Sequence, residues 1–146
     1  MPSLENLTSP NRMLARKTEV QRGTILVVED DHVVRELVRM FLENEGYTVV
    51  TADDGEEGLL VYKRHQPNIA LLLTDVMMPR MNGVDLAAHV LQLDSDLPVV
   101  FMSGDAAQLN LRSICLAKPF NSADLIGTVA QVLQPSDRAR ETDRLF

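Results

Sequence analysis

Five short apolar runs, separated by stretches with helical spacing, restrict this chain more than any other feature. They are TILVV at Thr24–Val28, residues 48–51, IALLLT at 69–74, PVVFM at 98–102 and ICLA at Ile114–Ala117. Most are apolar without alternation, as expected of strands covered on both faces in a parallel sheet. Between the first two runs, Val33, Val34, Leu37, Val38, Phe41 and Leu42 recur at i, i+1, i+4, i+5, which predicts a helix with that stripe inward. Gly46 is placed to end it. Further helices are predicted over 54–65, 84–93 and 123–133, with Asn121 or Ser122 as the last N-cap.

Strands alternating with helices imply an α/β fold with a doubly wound parallel sheet. The foldable part is expected at 23–134. Residues 1–22 are polar with two prolines and read as an arm, with a short helix around 13–20. Residues 135–146 read as a solvated tail in which Arg138, Arg140 and Arg144 are offset by Asp137, Glu141 and Asp143. No apolar run approaches the roughly 18 residues of a membrane span, and the N-terminus has no apolar leader. A cytoplasmic protein with no membrane partner is expected. Lone Cys115 excludes a disulfide within one chain. The net charge of −7 disfavours nucleic acid as a partner.

In a doubly wound sheet, ligands bind beyond the carboxyl ends of the strands. Strand one ends in Glu29-Asp30-Asp31, strand three in Asp75, strand four in Ser103 and strand five in Lys118-Pro119. Acids gathered at one rim raise each other's pKa unless a hard cation sits among them. Mg²⁺ suits such a set, since it takes one or two carboxylates and shares phosphate oxygens. Lys118 adds a point charge for a phosphoryl oxygen and Ser103 a hydroxyl donor. Capping the first helix accounts for Asp31, but not for Asp75, Ser103 and Lys118. Asp53, Asp54, Glu56 and Glu57 read as a solvated helix start. Asn82-Gly83 reads as a turn, with Gly83 supplying backbone freedom. His65 and His89 lack ligand spacing.

ILVVEDD at 25–31, LLLTDVMMPRMNG at 71–83, PVVFMSG at 98–104 and AKPF at 117–120 resemble, in order, the four sequence blocks of response-regulator receiver domains of bacterial two-component systems. The resemblance implies a flavodoxin-like (βα)5 fold with a five-stranded parallel sheet. It also implies roles. Asp75 accepts phosphoryl from a sensor histidine kinase or histidine phosphotransfer protein. Asp30 ligates Mg²⁺ directly, Glu29 through water, and the Met77 carbonyl completes the protein's share. Ser103 is the switch hydroxyl, and Lys118 the lysine of the pattern, with a cis bond to Pro119.

Two departures stand out. Lys118 follows Ser103 by only fifteen positions, so the fourth helix should be reduced to a turn or two around 105–112. Cys115 stands where relatives place an aromatic switch residue, and reads as a small buried hydrophobe. The expected function is signalling by conformational switching and contact with a downstream protein rather than enzymatic turnover. A single-domain regulator is favoured over a receiver of a hybrid sensor kinase. A Mg²⁺-dependent aspartyl-phosphate phosphohydrolase is the enzyme rival, but it wants an Asp two positions after the nucleophile, where Met77 stands. A flavodoxin-like cofactor module lacks its phosphate loop after strand one.

Overall fold

Unbroken aliphatic runs become strands where the chain places them. The computed structural model describes residues 23–105 and 113–134. The expected arm, the expected tail and, apart from Asp105, the expected short fourth helix lie outside these residues. The elements are β1 (Thr24–Val28), α1 (His32–Asn44), β2 (Thr48–Ala52), α2 (Gly55–His65), a 3₁₀ turn (Gln66–Asn68), β3 (Ile69–Asp75), α3 (Gly83–Leu93), β4 (Val99–Ser103), β5 (Ile114–Ala117) and α4 (Ser122–Val132). The strands form one parallel sheet in the order β2-β1-β3-β4-β5.

Both faces of the sheet are covered, which explains the lack of alternation. Ile25, Val27, Leu71 and Leu73 pack with Val38 and Leu42 of α1 and Leu125 and Val129 of α4. Leu26, Val28 and Leu72 pack with Val61 and Tyr62 of α2 and Leu86 and Val90 of α3 on the opposite face. Among the described residues, no helix is long and apolar enough to cross a membrane.

Helix ends follow local chemistry. The Asp31 side chain accepts the Val33 and Val34 amides, and Asn121 forms a capping box with Asp124. Gly46, at φ 93°, closes α1 with its amide on the Glu43 carbonyl at 3.0 Å.

Four readings need correction. Val33 is 65% and Leu37 42% exposed. At roughly 100° per residue they lie more than about 100° around α1 from the Val38–Leu42 line that meets the sheet. Asp54 caps α2 as expected but is buried rather than solvated, because the loop after β3 covers it. Gly83 is the first residue of α3, and its need is space: a Cβ there would stand 2.0 Å from the Asp75 carbonyl oxygen. Cys115 lies in β5 but is only half-buried, and that burial still raises its thiol pKa.

Candidate functional site

Sheet geometry continues past the last residue of β1. The Glu29 amide donates to the Ala52 carbonyl at 3.2 Å, and the Glu29 side chain is fully buried. Asp30, the next residue, is exposed, and Asp31 belongs to the α1 cap. Arg35, on the first turn of α1, donates to the Glu29 carbonyl at 2.7 Å and lies 3.1 Å from His32 Nδ1. β3 delivers Asp75 as its final residue, 8% exposed. The Val76 amide extends that ladder onto the Met102 carbonyl at 3.1 Å. β4 ends in buried Ser103, whose Oγ accepts the Asp105 amide at 3.0 Å. The Lys118 amide donates to the Ser103 carbonyl at 2.8 Å, and Lys118–Pro119 is cis as expected.

Four strand ends therefore meet at one rim. Lys118 Nζ stands 2.6 Å from Glu29 Oε1 and 3.2 Å from Asp75 Oδ2. Carboxylate oxygens of Glu29, Asp30 and Asp75 all lie within 4.8 Å of one another. Burial, more than anything else, pushes the Glu29 carboxyl up to about 7; the Lys118 hydrogen bond opposes this, while Asp75 and Asp30 add to it. For Lys118, burial works to lower the pKa, yet the bond to Glu29 and the charges of Glu29 and Asp75 outweigh it and raise the value.

These donors fit a hard divalent cation. They are oxygens from three carboxylates gathered within 4.8 Å of one another, the hard donor type that Mg²⁺ takes. One ammonium does not balance three acids. The expected residues come together with two qualifications. Ser103 ends the strand beside Asp75, with Met102 as that residue's register partner. Met77 lies two residues beyond Asp75 with its side chain 66% exposed, so only its backbone is a candidate ligand.

Two arrangements lay beyond the sequence reading. One is the Arg35 contact with the backbone of the acidic pair, for which an arginine one turn into a helix gives no distinctive sign. The other is an ion pair of 3.1 Å between Arg80, in the loop after β3, and buried Asp54.

The response regulator receiver domain family model matches residues 25–130. The response regulator receiver protein CpdR of Brucella abortus is 38% identical over 117 residues, 75% of this chain and 95% of that protein. The transcriptional regulatory protein CseB of Streptomyces coelicolor is 34% identical over 82% of this chain and 53% of its own length. The chain thus spans about half the length of such transcriptional regulators. Among solved structures, the receiver domain of the hybrid histidine kinase CckA superposes with a TM-score of 0.69 at 36% identity, over 77% of this chain and all of that one. A receiver domain protein from Clostridium thermocellum, at 23% identity and a TM-score of 0.73, covers 80% of this chain and 98% of that one and shows the same fold.

Proposed function

Because the chain belongs to the response regulator receiver domain family, we propose that Asp75 accepts a phosphoryl group and that the modified rim switches contact with a partner protein. The observation that carries this reading is the convergence of the Glu29, Asp30 and Asp75 carboxylates with Lys118 Nζ at the carboxyl ends of the strands.

The donor is a phosphohistidine of a sensor kinase or histidine phosphotransfer protein. An Asp75 carboxylate oxygen attacks phosphorus in line; the new P–O bond forms as the P–N bond to the donor imidazole breaks, and the leaving nitrogen keeps the electron pair. Such a transfer needs neutralised oxygens more than proton movement. Asp30, Asp75 and the Met77 carbonyl would hold Mg²⁺, with Glu29 acting through water, and the ion would supply that neutralisation. Lys118 exchanges its Asp75 contact for a phosphoryl oxygen while keeping Glu29. The Ser103 hydroxyl still has its own hydrogen to donate, because the Asp105 amide uses only a lone pair. The product adds roughly −1.5 to −2 charge beside Lys118, and Ser103 turning toward it draws the end of β4 along.

This reading makes the chain a signalling domain. A single-domain regulator is the form of this reading we adopt, with CpdR matched over 95% of its length and CseB over 53%. The test is incubation with acetyl phosphate and Mg²⁺ followed by site-mapped mass spectrometry. One phosphoryl group on Asp75 is expected, and none in Asp75→Asn or in EDTA. Labelling that survives Asp75→Asn rejects the nucleophile.

A further inference from the structure

The loop of residues 76–82, between β3 and α3, carries Met77 and is held from two sides. At its base the Gly83 amide donates to the Val76 carbonyl at 2.9 Å. At its far side it leans on the start of α2. A Cβ on Gly55 would meet the Met81 carbonyl oxygen at 2.2 Å, so the loop backbone sits directly on that glycine. Beside this seat is Asp54, whose Oδ1 accepts the Glu57 amide at 2.8 Å while Oδ2 lies 3.1 Å from Arg80 Nη2. Arg80 has φ 69°, a left-handed conformation that a residue with a side chain keeps only when its surroundings hold it there.

An exposed guanidinium on a carboxylate contributes little to stability, being screened by water. Arg80 is 64% exposed. The value of the contact is geometric. We propose that Asp54 and Arg80 are positioning residues: their ion pair ties the 76–82 loop to the α2 N-terminus and so presents the Met77 carbonyl to the acidic cluster before a cation arrives. This inference rests on the phosphoacceptor reading above. Without the tie, the carbonyl must be ordered at the moment of binding, which weakens the cation without altering the transfer step.

The test is the rate of Asp75 labelling by acetyl phosphate across a Mg²⁺ titration, with the melting temperature of each protein. Arg80→Ala is expected to raise the half-saturating Mg²⁺ concentration about tenfold, the low end for losing a supporting contact at a metal. The plateau rate at saturating Mg²⁺ should be retained, and Arg80→Lys should restore much of the affinity. Asp54→Asn should shift affinity in the same direction, but add nothing in the Arg80→Ala background. A mere loss of positive charge near the acids would draw Mg²⁺ in more tightly. Half-saturation in Arg80→Ala that is unchanged or lower therefore overturns the proposal, as do additive shifts in the double variant. If the unsubstituted chain shows no Mg²⁺-dependent labelling, the phosphoacceptor reading itself is wrong and the positioning role falls with it.

Discussion

A carboxylic acid taken wholly out of water resists ionisation even with a cation beside it, and Glu29 shows the balance. Its value of about 7 in the folded chain lies above the ordinary 4.5. The folded protein therefore keeps a proton that the unfolded chain has released over that interval. Stability from this group is fully present below about 4.5 and is lost as pH rises through about 7. In EDTA, melting temperature should fall between about pH 5 and 7.5, and Glu29→Gln should flatten that slope. A slope left intact by the substitution would assign the proton elsewhere. The Arg39 hydrogen bond lowers the Glu36 carboxyl, and in the exposed Asp53–Glu57 pair their mutual hydrogen bond lowers Asp53 and raises Glu57.

Elements, unlike single groups, are largely legible in the sequence. Continuous aliphatic runs such as IALLLT have few other ways to bury both faces, and β1 and β5 fall on the expected residues. Asp75 and Lys118 could be placed at one rim because strand ends in a parallel sheet share a side. What escaped depends on how elements approach one another. The roll of α1 decides that Val33 is in water, and the β3–α3 loop decides that Asp54 is not. Gly83 is the sharpest case, since a dipeptide that reads as a turn is a packing point beneath Asp75. Backbone cannot step aside as a side chain tip does, so Gly83→Ala should destabilise the fold by about 2 kcal/mol or more, within the usual range for overpacking. Urea denaturation measures it; a change below about 0.5 kcal/mol would mean the β3–α3 junction yields easily.

At the scale of the molecule, a net charge of −7 leaves the folded chain repelling itself, most of all where three acids crowd one rim. A cation bound there acts on the whole fold. At Mg²⁺ about 100-fold above its dissociation constant, stability should rise by about 2.7 kcal/mol. Calorimetric melting should show the gain, and Asp30→Ala should remove most of it; an equal gain in that variant would put the ion at another place. The Lys118–Glu29 contact joins residues 89 positions apart. It joins the outermost strand, β5, to β1 across two intervening strands. A molecule whose last strand has yet to dock thus has the acids of β1 and β3 without the Lys118 ammonium between them. Under the proposed function, such a molecule would lack the cation that meets the phosphoryl group, and docking of β5 would complete the site.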